Sequence, residues 1–144
     1  MKDVAFVNLT DSGVVDVPMA VTGTVEGKKA LLQQVIILCF SDPDGLGRYQ
    51  GGGLLNDLRT STISEDGLDE VRNLIAIALT SVKTIIQDRQ TEIVANPSWQ
   101  QLTEEEQLAD IVLKTVAMTD RDSLKIELDI VTVEGEPLAA ELNI

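Results

Sequence analysis

The sequence predicts an α+β fold: one long and one shorter helix packed on an antiparallel sheet from the C-terminal third, with an extended N-terminal arm or hairpin. Three observations lead there. Apolar residues recur every three or four positions from Leu68 through Val71, Leu74/Ile75, Ala78/Leu79 and Val82 to Ile85/Ile86, the period of one helix face. They alternate with a period of two in Leu124, Ile126, Leu128 and Ile130, and again in Leu138, Ala140, Leu142 and Ile144, the pattern of half-buried antiparallel strands. Polar turn segments, Thr119-Asp120-Arg121-Asp122 and Glu134-Gly135-Glu136-Pro137, separate the strands.

A chain of 144 residues fits a single domain, placed at 27–144, with an arm at 1–26. Its apolar fraction of 44% is enough for a core, and an aromatic fraction of only 3% makes that core aliphatic. The 24 acids outnumber the 11 bases, giving a net charge of −13, and Lys28-Lys29 is the only adjacent basic pair. Nucleic acid and anionic membranes are therefore not expected partners, because both are gripped through clustered cations. The start Met1-Lys2-Asp3 has no signal-peptide pattern and no run of 18 apolar residues occurs, so synthesis in the cytoplasm is expected. Cys39 is the single cysteine and the chain has no histidine, which leaves a buried thiol rather than an activated nucleophile. No catalytic residue, metal or cofactor is expected.

The elements follow in order. Val4 to Leu9 is a short apolar run closed by the turn Thr10-Asp11-Ser12-Gly13, and Val14, Val15 and Val17 resume it until Pro18, which suits an edge strand or arm. Lys28 to Phe40 reads as a helix with Ala30, Leu31, Val35, Leu38 and Cys39 on one side and Gln33-Gln34 on the other. Its run from Val35 to Phe40 is equally compatible with a buried strand. Ser41-Asp42-Pro43-Asp44-Gly45 ends it. Five glycines between Gly45 and Gly53 lack a following Gly-Lys-Ser/Thr, so a surface loop is expected there and not a phosphate cradle.

Ser64 is the expected N-cap of the long helix, Glu65 and Asp66 its first-turn acids, and Lys83 and Arg89 the cations that complement its C-terminal dipole. Asn96-Pro97-Ser98-Trp99 breaks the chain, and Thr103 with Glu106 has the spacing of a capping box for one helical turn. The acids Glu104, Glu105 and Glu106 are adjacent, which suits a solvated cap and not an acid/base pair facing across a cleft. Residues 110–118, 123–133 and 138–144 then form strands. The last stays apolar on one face to Ile144, unusual for an exposed edge and better suited to a strand that a partner covers.

In this order of elements the sequence resembles the sheath-initiator (baseplate wedge) family of contractile phage tails, nearest its Mu-like branch and related to type VI secretion baseplate subunits. The resemblance spans about residues 30–133. It is carried by Leu31-Leu32-Gln33-Gln34-Val35-Ile36-Ile37-Leu38-Cys39-Phe40-Ser41-Asp42, by Gly51-Gly52-Gly53-Leu54-Leu55-Asn56-Asp57-Leu58, by the helix at 68–88, and by strands at 111–118 and 124–133. Many members end the long helix with Glu-Pro-Arg, which contacts the wedge core. The matching positions here are Gln87-Asp88-Arg89, so only Arg89 is retained, with Asp88 as a substitute acid.

The resemblance implies a structural protein of the virion baseplate and no enzyme. It implies several copies per particle, docked on wedge proteins with the central tail hub or tube as a further neighbour. It also implies nucleation of the tail sheath by strand pairing with the first sheath subunits. Asp88 and Arg89 are the candidate wedge contacts. Leu138, Ala140, Leu142 and Ile144 mark the candidate strand for the sheath protein. A lysozyme-like label sometimes given to this family finds no counterpart in a chain with no histidine and one tryptophan. The rival classes are an acidic mimic of DNA, another tail adaptor, and a small hydrolase or nucleotide-binding enzyme.

Overall fold

A computed structural model describes residues 2–4, 8–9, 13, 15–16, 24–40, 67–96, 101–120 and 123–143. Its elements are β1 (Lys2–Val4), β2 (Asn8–Leu9), β3 (Val15–Asp16), β4 (Thr24–Glu26), α1 (Gly27–Phe40), α2 (Leu68–Ala95), a 3-10 turn (Glu104–Glu106), β5 (Leu108–Asp120), β6 (Ser123–Thr132) and β7 (Pro137–Asn143). Two helices of 14 and 28 residues pack on the antiparallel sheet β5-β6-β7, the α+β architecture expected from the periodicities. The five-glycine segment, the proposed N-cap Ser64 with Glu65 and Asp66, the break at Pro97-Ser98-Trp99, and Ile144 lie outside the described residues.

The described part of the N-terminal segment consists of two antiparallel pairs of short strands. β1 pairs antiparallel with β4, matching Lys2 to Glu26 and Val4 to Thr24, and between them β2 pairs with β3. β4 runs directly into α1 through Gly27, whose φ of +61° is the left-handed conformation that glycine adopts without strain. The Glu105 carboxylate lies 3.1 Å from where a Cβ on Gly27 would stand. That places an acid at the N-terminus of α1, where the helix dipole favours it.

The run Val35 to Phe40, which could have been a strand, is helical. The helix is also more deeply placed than a one-sided stripe implies. Leu32, Ile36 and Gln33 are buried together with Ala30, Leu31, Val35, Leu38 and Cys39. The expected polar side at Gln33-Gln34 is therefore corrected: Gln33 is only 1% exposed. A helix buried on most sides has no strong polar face to read in its sequence. Burial also pushes the Cys39 thiol up to about 12, which keeps it protonated and unreactive at neutral pH.

α2 buries the stripe Val71, Ile75, Ala78, Leu79, Val82 and Ile86, as its spacing requires, and continues to Ala95, past the expected end near residue 88. Gly67 occupies its N-cap with no side-chain cap, while Asp69 and Glu70 supply first-turn charge. The expected C-terminal cations are corrected. The last turn contains no basic residue, Arg89 stands six positions before the end, and the Lys83 ammonium bonds the Asp110 carboxylate of β5 at 2.9 Å. That bond holds the Asp110 carboxyl below its usual range. A carboxylate shifted downward contributes stability above its unfolded pKa and loses it as pH falls through the folded value. The pair is half exposed, so the effect is small.

β6 buries Leu124, Ile126, Leu128, Ile130 and Thr132 in strict alternation and sits between β5 and β7. β5 pairs with it from Leu108↔Thr132 to Asp120↔Ser123, with register shifts between Leu108 and Asp110, Leu113 and Thr115, and Met118 and Asp120. Such bulges blunt an edge strand against foreign pairing. β7 pairs with β6 from Val131↔Pro137 to Lys125↔Asn143. Between them the Gly135 N–H donates to the Thr132 carbonyl at 2.9 Å, and Gly135 takes φ +97° to close the turn.

Besides the Asp129 Oδ1, Thr132 buries a side-chain oxygen without a partner among the described residues. Its side chain is 1% exposed and its hydroxyl finds no partner among the described residues. Thr132→Val keeps the shape and removes the desolvated hydroxyl, so stability should rise by about 1 kcal/mol. Thermal unfolding should register that as an upward shift of roughly 4 °C; an unchanged or lower midpoint would show that the hydroxyl is satisfied.

Candidate docking surfaces

The candidate residues from the sequence fall on two separate surfaces. Leu138, Ala140 and Leu142 lie on β7, and Asp88 and Arg89 lie on α2; Ile144 is outside the described residues.

Among the described residues β7 forms a strand ladder with β6 alone, on one side, and so stands at an edge of the sheet. Ala140 is buried and Leu138 and Leu142 pack partly buried against the same core, so their side chains are occupied internally. What the strand turns away from the core is its backbone edge. The Glu141 N–H donates to the Gly13 carbonyl at 2.9 Å, so it points away from β6. Along a strand the N–H and C=O of one residue share an edge and alternate with those of the next. Ala139, Glu141 and Asn143 therefore turn their backbone groups outward, and Leu138, Ala140 and Leu142 turn theirs to β6. Pro137 has the outward parity, so its missing N–H removes nothing from the ladder, which is where an edge tolerates proline.

The solvent face of this sheet is a cross-strand charge lattice. Lys125 reaches Glu127 at 2.9 Å and Glu141 at 3.4 Å, and Lys114 reaches Asp129 at 3.0 Å. The Thr115 hydroxyl donates to Glu127 at 2.5 Å, and this bond, with Lys125, holds the Glu127 carboxyl down. These pairs tie β5, β6 and β7 together and lay cations among the acids.

The second surface lies where the last turns of α2 overhang the start of β5. Gln87, Asp88, Gln90, Thr91, Val94, Gln107, Leu108 and Val133 line an open groove of about 520 Å³. Asp88 is exposed on its wall, and Val94 and Val133, 56% and 53% exposed, form an apolar rim. Arg89 is half-buried one position further round the helix and does not line the groove, so the structure does not bring Asp88 and Arg89 to one concave site.

The floor is built by two glutamines, Gln87 of the Gln87-Asp88-Arg89 triplet and Gln90, which the sequence pattern did not single out. The Gln90 amide donates to the Glu106 carbonyl at 2.7 Å and accepts from the Leu108 N–H at 2.8 Å. Gln87 donates to the carbonyls of Leu108 and Ala109 at 3.3 and 3.1 Å. One side-chain amide bonded to the C=O of one residue and the N–H of the residue two further on does what a neighbouring strand would do. Gln90 thus closes the beginning of the β5 edge. Its signal was present in the spacing: Val82, Ile86 and Gln90 fall four apart, so a polar residue occupies a stripe position. The Thr103 turn forms where expected but through its backbone. Thr103 accepts from the Glu106 N–H at 3.0 Å and makes no side-chain cap.

Among the described residues there is no helix long and apolar enough to cross a membrane and no cluster of His, Cys, Asp and Glu arranged for a metal ion. No family model, curated protein or solved structure matches this chain.

Proposed function

We propose that this chain is a structural docking protein, not an enzyme. In this reading it sits in the baseplate of a contractile phage tail, holds to wedge proteins and nucleates sheath assembly by accepting a strand from the first sheath subunits. One observation carries it: β7 is an edge strand whose ladder to β6 is complete while Ala139, Glu141 and Asn143 turn their backbone groups to the other side, where one of them, the Glu141 N–H, is bonded to the Gly13 carbonyl. An extended arm can add to such an edge through main-chain hydrogen bonds alone, each contributing about 1 kcal/mol. The opposite edge, β5, is bulged in three places and closed at its start by Gln90, which leaves β7 as the better acceptor.

The groove supports docking better than chemistry. It offers one carboxylate, Asp88, and one hydroxyl, Thr91, which already donates to the Gln87 carbonyl at 2.9 Å. Apolar rim residues beside a lone acid suit a partner segment that joins an aliphatic side chain to a cation. The DNA-mimic alternative is less well supported, since Lys114 and Lys125 interrupt the acids on the sheet face and break any phosphate-like row.

The wedge contact is tested by Asp88→Ala and Arg89→Ala, scored for melting temperature and for incorporation into baseplates. Both positions are outside the buried stripe, so melting should stay within about 2 °C of the parent while incorporation falls. Normal incorporation of both variants would remove these residues from the docking surface.

A further inference from the structure

We infer that the groove under the last turns of α2 takes an extended segment of a partner protein in which one aliphatic side chain is flanked on both sides by lysine or arginine. The inference rests on the docking role given to this groove above and names what it holds.

Negative potential comes from both ends of the groove. Asp88 is exposed on its wall, and Glu92, also exposed, follows four residues later on the same flank of α2. Among the described residues neither carboxylate forms an ion pair. Past Val94 the helix ends at Ala95, and its last turn contains no basic residue, so the negative end of the dipole lacks its usual cation. The cations closest in sequence do not fill this role. Lys83 bonds Asp110, and Arg89 is half-buried outside the groove.

Between the two ends the groove offers apolar contact and few free polar groups. Val94 and Val133 stand exposed on its rim, and Val133 is fixed by its N–H, which donates to the Gln107 carbonyl at 2.9 Å. On the floor the Gln90 amide is bonded at both ends, to Glu106 and Leu108, and the Thr91 hydroxyl donates to the Gln87 carbonyl. An occupant therefore gains from aliphatic contact at the rim and from cations at either end.

Spacing fixes the pattern. Asp88 and Val94 are six residues apart on α2, a rise of about 9 Å. An extended segment advances about 3.3 Å per residue and turns alternate side chains to one face. Cation, aliphatic residue and cation at every second position match the acid, the rim and the helix end, with the long basic side chains covering the remaining distance.

NMR titration of the full chain with the capped peptide Lys-Ser-Val-Ser-Arg tests this. The Val94 and Val133 methyl signals should shift, and affinity should fall several-fold between about 50 and 500 mM salt. Asp88→Asn should weaken binding about threefold. The peptides Lys-Ser-Ser-Ser-Arg and Glu-Ser-Val-Ser-Glu should each bind more weakly. Val133→Thr, isosteric and exposed, should reduce affinity for the valine peptide about twofold and leave Lys-Ser-Ser-Ser-Arg unaffected. Unmoved methyl signals, equal binding of the acidic peptide, or shifts scattered over other acids and indifferent to both substitutions would overturn the inference. Failure of the docking role is read separately. Asp88→Ala chains that fail to enter baseplates while the basic peptide moves neither methyl would sink the inference and keep the docking role, whereas normal entry with the peptide response intact would do the reverse.

Discussion

Gln90→Leu should lower stability by about 3 kcal/mol although it introduces an apolar residue at a buried stripe position. The wild-type side chain is 8% exposed and satisfies two buried backbone groups, the Glu106 carbonyl at 2.7 Å and the Leu108 N–H at 2.8 Å. Leucine gains some apolar burial but takes the side-chain amide away from both, and an unsatisfied backbone group costs about 1–3 kcal/mol. Denaturant unfolding measures the loss, and exchange at Leu108 locates it. Gln90→Glu separates donor from acceptor. A carboxylate still accepts from Leu108 but faces the Glu106 carbonyl without a proton, so its folded pKa is raised. A raised carboxylate pKa means the variant recovers stability relative to the parent as pH falls and loses it as pH rises. A Gln90→Leu protein as stable as the parent would show that water replaces the amide at no cost.

Proline placed along β7 should separate folding from docking by parity. Glu141→Pro removes an outward N–H, the one bonded to Gly13, and leaves the β6 ladder whole. Leu142→Pro removes an inward N–H and a partly buried side chain, so it should destabilise by roughly 3 kcal/mol or more. If β7 accepts the sheath strand, Glu141→Pro protein should remain folded, with a melting point only a few degrees lower, and should lose sheath nucleation on baseplates. Full-length sheaths at normal frequency from this variant would defeat the strand-pairing reading. Removing the whole strand is a poorer test, because β7 supplies Ala140, Leu138 and Leu142 to the core cluster. A chain without it would expose Leu128 and Ile130 on β6.

The sequence by itself determined the elements whose burial is one-sided. The stripe from Val71 to Ile86 and the alternation from Leu124 to Ile130 are readable because solvent forces polar residues onto the other face. Both appear in the structure as buried helix and strand faces. α1 was only half legible, since a helix covered on most sides has no solvent to impose a period, and Gln33 is buried among aliphatics. Helix ends were less legible still. Propensity cannot say where α2 stops when its last turns are held by Gln87 and Gln90 bonding a strand some twenty residues ahead. For the same reason Lys83 was assigned to a dipole when it belongs to Asp110.

Only the tertiary structure could decide which edge of the sheet is open. Strand order, the parity that turns Glu141 outward and the Gly13 carbonyl waiting there depend on backbone directions between segments more than a hundred residues apart. Side-chain pattern specifies the face of a strand, whereas the edge is a property of the backbone, which is the same for every residue but proline and so leaves almost no trace in sequence.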